Sequence, residues 1–300
     1  MNTIPVIAAK GLSKYYGRFV AVEDITFEVD AGEVVGFVGL NGAGKSTTIN
    51  MMLGFTRASR GTVQLFGQPV TTANSFQSHQ KVSYATGDMH LFDDMTGRQY
   101  LQFTAKMHGV TLRTKRFEHL VERFEPQLDK KIKTLSRGNH QKIALIAAFM
   151  VKADLIILDE PSTGLDPLMQ QRFLELIESV SAEGVTIFMS SHNLAEVSEV
   201  CSRVILIKDG ALVKDISSGE LDAAAGKLVQ VVTRHPAQPP KGAEQVKVTG
   251  DRLRFVYQGD TLTLQSWISS LSGLKDVTIT EHSPEGTFKE LYAEDEVKRA

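Results

Sequence analysis

An α/β fold with a parallel core sheet is the architecture this sequence predicts, on three observations. An apolar run (Val34, Val35, Phe37, Val38) leads into the glycine-rich stretch Gly39–Thr47, GLNGAGKST, and then into a helical pattern carrying Ile49, Met52 and Leu53 before Gly54. A second run, LIILDE over Leu155–Glu160, stays apolar until two carboxylates at its end. That is the pattern of a central parallel strand with chemistry at its carboxyl edge. Strand and helix patterns go on alternating after it, through Val185–Met189, a helix at Leu194 and Val197, and a hairpin at Asp209-Gly210.

Taken in order, the first residues alternate as strands, with Val6 and Ala8, then Ile25, Phe27 and Val29, and turns at Gly17 and Asp30-Ala31-Gly32. This is an antiparallel β part. Tyr15 and Tyr16 precede Gly17, where an aromatic ring either packs in the core or stacks on a base; local sequence favours packing. Gly61–Val70 reads as a short strand pair, and Val82–Ala85 as a strand leading to Thr86-Gly87-Asp88. The middle then turns helical. Thr96 with Gln99 forms a capping box ahead of Tyr100, Leu101 and Met107, and a second helix carries Phe117, Leu120, Val121 and Phe124 up to Pro126. Residues 88–140 are a helical insertion, extended to about 150 by the helix that Ser136 opens with Leu145, Ala148 and Phe149 on one face.

The pattern weakens over 218–226, a linker that separates residues 1–217 from a small α+β domain over 227–300. In that domain strands at Leu228–Val232, Val246–Val248, Leu253–Val256 and Val277–Thr280 surround a helix striped with Leu264, Trp267, Ile268 and Leu271. A final helix bears Phe288, Leu291 and Tyr292, and Glu294–Arg299 forms a solvated face.

Composition narrows the function classes. A net charge of −2 supplies no basic field, so no nucleic acid is expected as a partner. The one cysteine, Cys201, lies in an apolar stretch and reads as a small packing residue in a reduced compartment. MNTIPVIAAK lacks the basic start and long apolar core of a secretion signal, and Ile143–Val151 is far too short for a membrane span. Any membrane connection is expected through a partner.

A strand turning through glycines into a helix leaves backbone N–H groups pointing at one spot, at the positive end of a helix dipole. Gly39, Gly44, Lys45 and Ser46 have the Gly-x4-Gly-Lys-Ser spacing of a loop that cradles a phosphate chain. Gly42 and Gly44 are expected to let the backbone approach the phosphates where a Cβ would collide. Lys45 would reach the β- and γ-phosphates, and the Ser46 hydroxyl would bind Mg²⁺. Asp159, at the end of its strand, is the carboxylate that such a loop needs for the ion, and Glu160 is placed to polarise a water for attack on the γ-phosphate.

With these motifs the sequence resembles, over residues 1–217, the nucleotide-binding subunit of an ATP-binding cassette (ABC) transporter. The order carries the match: phosphate loop, LSRGN (Leu135–Asn139), LIILDE, STGLD (Ser162–Asp166), and SSH ending at His192. The resemblance implies a P-loop NTPase of the ABC type, with parallel core sheet, N-terminal antiparallel β part and helical subdomain, and ATP with Mg²⁺ at Gly39, Asn41, Gly42, Gly44, Lys45, Ser46 and Thr47. It implies that Tyr16 stacks on adenine, reversing the local preference for packing. Ser136 and Gly138 resemble the signature that binds the γ-phosphate held by a second subunit. Ser136 suits this as an N-cap, and Gly138 leaves the helix start open to an anion. Asp166 resembles the residue that contacts the facing subunit, and His192 the switch histidine on the γ-phosphate.

The implied assembly is a homodimer, or a heterodimer with a related cassette, closing head to tail around two ATP molecules and driving a separate transmembrane permease. That puts the chain in the cytoplasm, on the inner face of the cell membrane. TGRQYL (Thr96–Leu101), Arg137 and Asn139 in the signature, and the added C-terminal domain resemble exporters of this kind. One departure stands out: where the family has Gln or Glu after the Val82–Ala85 strand, the aligned residue is Gly87, followed by Asp88. The competing readings are a soluble ABC ATPase acting on ribosomes or in iron–sulfur assembly, and a DNA-repair or chromosome ATPase. A single cassette argues against the ribosomal form, and so short an insertion against the last.

Overall fold

The computed structural model describes residues 4–87, 91–220 and 226–281, and the chain divides into two compact units, Met1–Asp215 and Ile216–Ala300. In the first unit, β1 (Ile7–Tyr16) and β2 (Phe19–Val29) form a hairpin; β3 (Val34–Val38) then feeds α1 (Lys45–Met52). β4 (Arg60–Leu65) and β5 (Gln68–Pro69) return to the hairpin and complete an antiparallel sheet in the order β2-β1-β4-β5. A short helix α2 (Ser75–His79) precedes β6 (Val82–Thr86).

The helical part holds α3 (Gly97–Met107), α4 (Lys115–Phe124) and α5 (Arg137–Phe149). Thr96 and Gln99 close the expected capping box: the Gln99 N–H donates to Thr96 Oγ1 at 3.2 Å and the Thr96 N–H to Gln99 Oε1 at 2.9 Å. β7 (Leu155–Asp159), α6 (Pro167–Ala182), β8 (Thr186–Ser191), α7 (Leu194–Val200), β9 (Arg203–Lys208) and β10 (Ala211–Ser217) follow. The strand expected over Val185–Met189 thus runs on through Ser190 and Ser191, whose side chains are buried.

The core sheet has the order β10-β9-β3-β8-β7-β6. Its central strands are parallel, with Val38 opposite Ser191 and Asp159 opposite Ser190. One level of the sheet therefore carries the end of the glycine loop's strand, the residue before His192, and the acidic pair.

Between the two sheets lies a core of Ile7, Leu12, Ile25, Val35, Ile49, Met52 and their neighbours. Phe188 joins the layers, stacked on Phe27 at 5.7 Å and tilted against Phe37 at 5.4 Å. Phe188 is fully buried, so Phe188→Ala should cost about 3–5 kcal/mol through lost burial and the cavity left behind. A urea titration of the full chain reads this as a lowered midpoint in the transition of the first unit.

The second unit contains β11 (Lys227–Thr233), β12 (Ala243–Thr249), β13 (Arg252–Tyr257), α8 (Thr261–Ser270) and β14 (Leu274–Glu281). Its antiparallel sheet has the order β12-β13-β11-β14. Val229, Val231, Leu253, Phe255 and Leu264 form the core, with Trp267, Ile268 and Leu271 packed on it. Trp267 meets Phe255 edge-on at 5.2 Å and donates its indole N–H to the Gln238 carbonyl at 3.2 Å. The expected final helix with Phe288, Leu291 and Tyr292, and the stretch Glu294–Arg299, lie outside the described residues, as does Asp88.

Candidate nucleotide site

The glycine loop bends because its backbone takes conformations that side chains resist. Gly42 and Gly44 have φ of 84° and 104°, in the left-handed region that glycine alone enters freely. A Cβ on Gly44 would lie 2.6 Å from the Ala21 carbonyl oxygen, and one on Gly39 2.5 Å from that of Ile207. Open space surrounds Gly42. Side chains at Gly39 and Gly44 are thus excluded by the protein beneath the loop, a constraint that the sequence reading of Gly42 and Gly44 as room for phosphates did not include.

Asn41, Gly42, Gly44, Lys45, Ser46, Thr47 and Glu160 line one cleft of about 280 Å³, together with Ala21 and Phe19. The start of α1 opens into this cleft with no side-chain cap, so its N–H groups are left for an anion. Phe19 was not anticipated. It pairs with Tyr16 across the hairpin, and both rings are exposed, Tyr16 at 52% and Phe19 at 65%. Exposure sets aside the local preference for packing Tyr16 in the core. Aromatics on both sides of Gly17 were the available sign of this pair.

Lys45 is nearly buried, donating to the carbonyls of Gly39 at 2.6 Å and Leu40 at 3.2 Å. Its ammonium also lies 3.0 Å from Glu160 Oε1. On the other carboxylate oxygen, His192 Nδ1 donates to Glu160 Oε2 at 2.6 Å. Lys45, Glu160 and His192 form one chain of charge-assisted contacts across the mouth of the sheet. Glu160 reaches both because its φ is 52°, a strained value for a residue with a side chain. This turn, one residue past the strand, is how Asp159 and Glu160 come to serve the same edge.

Ser190 supports both acids. Its hydroxyl donates to Asp159 Oδ1 at 2.6 Å and accepts from the Glu160 N–H at 3.0 Å. No sequence signal distinguished it from an ordinary strand serine. Asp159 is buried and is not among the residues that line the cleft, whereas Ser46 is; both offer oxygen donors only. Among the described residues no group of three or more His, Cys, Asp or Glu is arranged to hold a metal. Such a set fits Mg²⁺, which keeps several waters and takes phosphate oxygens beside one or two protein oxygens.

Gly87 explains the missing Gln or Glu. A Cβ there would come within 2.6 Å of the Glu160 carbonyl oxygen, and its N–H donates to the Asp159 carbonyl at 2.8 Å. The β6 strand thus meets the acidic turn backbone to backbone.

Ser136 and Gly138 are not among the residues lining the cleft. Ser136 caps α5, its hydroxyl accepting from the Asn139 N–H at 3.4 Å. Asn139 also accepts from the Gln127 N–H at 3.0 Å, so this variant of the signature anchors the chain that follows α4. A Cβ on Gly138 would sit 2.9 Å from the Gly164 carbonyl oxygen. The glycine makes room for the neighbouring loop, where the sequence suggested room for an anion alone. Asp166 is exposed and caps α6, its carboxylate accepting from the Met169 N–H at 3.0 Å.

Comparison with known proteins agrees with this geometry. The family model described as ABC transporter matches residues 22–163. The ABC transporter ATP-binding protein YhaQ of Bacillus subtilis is 32% identical over 254 residues, 81% of this chain and 83% of that protein. The Nod factor export ATP-binding protein I of Ralstonia nicotianae is 30% identical over 257 residues, 84% of this chain and 75% of that one. A solved structure of an ATP-binding subunit of an ABC transporter superposes with a TM-score of 0.67 at 30% identity, covering 72% of this chain and 91% of its own. The cassette fold, the site and these relatives agree: the chain belongs to the ABC transporter family as an ATP-binding subunit, and it is an ATPase.

Proposed function

We propose that two copies of this chain, or this chain and a related cassette, close head to tail on two ATP molecules, and that closure drives a separate membrane permease in the export direction. One observation carries the reading: the phosphate loop, Glu160 and His192 share an edge of the sheet, while Ser136 and Gly138 lie outside the cleft that they would complete. A second copy supplies them by twofold symmetry.

In this reading ATP enters with its adenine against Tyr16 and Phe19 and its phosphates on the N–H groups of Gly39–Thr47. The phosphates take over Lys45, which must leave Glu160 to meet them. Ser46 and, through water, Asp159 would hold Mg²⁺, which supplies charge neutralisation at the β- and γ-oxygens. Glu160, released from its ion pair, accepts the proton of the attacking water, and His192 turns its ring to the γ-phosphate. Ser136 and Gly138 of the second copy close the far side, and Asp166 faces that copy. Loss of phosphate removes the contacts that favour the closed state, and the halves separate.

The permease is expected on the helical part. Among the described residues no helix is long and apolar enough to cross a membrane. A groove of about 240 Å³ lined by Phe55, Tyr84, Tyr100 and His108 opens between the core and α3, with Phe92, Phe103 and Met107 exposed nearby. With the permease bound there, the chain would sit on the inner face of the cell membrane. Export is supported by the relative named for Nod factor export, and residues 227–300 are read as an accessory domain with a regulatory or dimer-stabilising role.

Two measurements test the scheme. Co-purification of the full chain should bring down a multi-span membrane protein; ribosomes or scaffold proteins in its place would overturn the transport reading. Ser136→Arg should leave ATP affinity within about twofold and abolish ATP-dependent dimerisation, because the bulk and charge fall at the helix start facing the other copy. A Ser136→Arg protein that still dimerises with ATP would mean that the cross-subunit contact lies elsewhere.

A further inference from the structure

Behind the Glu160–His192 pair lies a second carboxylate, that of Glu196 in the first turn of α7, to which the roles above assign nothing. It is largely out of solvent, and its Oε2 accepts from the Ser191 hydroxyl at 3.0 Å. The Ser162 hydroxyl faces the same carboxylate and stabilises its charge. Both serines are buried, Ser191 at 1% exposure and Ser162 at 7%. The Ser191 oxygen accepts in turn from the Asn193 N–H at 3.0 Å, and Asn193 caps the helix by accepting from the Ala195 N–H at 3.0 Å.

The placement of these contacts gives them meaning. Ser162 stands two residues past Glu160, and Ser191 stands immediately before His192. Successive residues of a strand face opposite sides, so β8 turns Ser190 toward the acidic pair and Ser191 toward Glu196. We propose that Glu196 is a positioning residue for ATP hydrolysis, clamping the loop that carries Glu160 to the strand end that carries His192 so that the two side chains keep one relative geometry. The inference rests on the assignment of Glu160 and His192 to the reaction.

Burial holds the Glu196 carboxyl above its ordinary range, against the two serine hydroxyls, which favour the anion; Glu160 adds to the rise and His192 opposes it. A stability role alone would not call for an acid at this position, since an apolar residue of similar volume would avoid the cost of burying a carboxylate. Alignment at the reacting atoms would, because an error of about 1 Å there costs up to about a hundredfold in rate.

The test uses the full chain with Mg-ATP and reads kcat, KM and the thermal midpoint. Glu196→Ala and Ser162→Ala should each lower kcat, by about tenfold for the first, with KM for ATP within about twofold because the phosphate loop is untouched. Glu196→Gln, which keeps size and one acceptor, should recover part of the loss. The double variant Glu196→Ala/Ser162→Ala should be no slower than Glu196→Ala, since both remove one contact. Wild-type kcat in both single variants, losses that multiply in the double, or a loss confined to the thermal midpoint would each overturn the proposal. Ser162→Ala keeps the question open to measurement should Glu196→Ala fail to fold. Glu160→Gln run alongside separates the two levels. If it still hydrolyses ATP, the reading beneath is wrong; if it is inactive while the Glu196 and Ser162 variants are normal, only this inference falls.

Discussion

Glu160→Gln is expected to lower the rate of ATP hydrolysis by about a thousandfold, within the range that a positioned general base contributes, while ATP stays bound. The structure makes the substitution unusually clean. Gln has the size of Glu, and its amide oxygen can still accept from His192 Nδ1, so the strained backbone at φ 52° keeps its anchor. What is lost is the negative charge and with it the capacity to take a proton. Lys45, which lies 3.0 Å from the Glu160 carboxylate, would no longer be held by an anion. ATP then competes against a weaker partner, and affinity should rise rather than fall. Phosphate release gives the rate, and size-exclusion chromatography with ATP should reveal a persistent dimer. Turnover at the wild-type rate would remove Glu160 from its role as base.

Lys45→Ala should weaken ATP binding by about ten- to a hundredfold, the range of a charge-assisted hydrogen bond lost at a phosphate. Three effects reinforce one another. The ammonium that meets the phosphates is gone, and Glu160 is left as an uncompensated anion beside the place where the γ-phosphate must sit. The loop also loses the bonds to the Gly39 and Leu40 carbonyls. The double variant Lys45→Ala/Glu160→Gln should therefore bind ATP more tightly than Lys45→Ala alone, a coupling that titration calorimetry measures directly. Unchanged affinity in the single variant would detach Lys45 from the phosphates.

The loop, the acidic strand end and the hairpin were legible in the sequence because each has a local cause: a glycine spacing, an apolar run broken by charge, a turn dipeptide. The caps Thr96 and Ser136 were equally legible, since each acts within three residues of itself, whereas the cap at Asp166 was not read. What stayed hidden were the long-range contacts. Ser190 looks like any polar residue in a strand until the parallel register puts it opposite Asp159. Phe19 joins Tyr16 only once the hairpin closes. The close approaches that exclude side chains at Gly44, Gly87 and Gly138 involve residues far away in the chain, Ala21, Glu160 and Gly164. A sequence marks such glycines but not the surface pressing on them. Tyr16 illustrates the reverse error, because aromatic character argued for the interior and the hairpin's end position decided otherwise.

The contact of Gly138 with Gly164 has a further consequence for timing. With no space for a methyl group between them, the signature edge cannot move toward the turn after the acidic pair without pushing that turn along. In a symmetric dimer, whatever one chain senses of its own nucleotide would be relayed internally to the wall that it lends its neighbour. The two catalytic events would then fall into step, and the rate would climb with ATP concentration more steeply than a simple hyperbola.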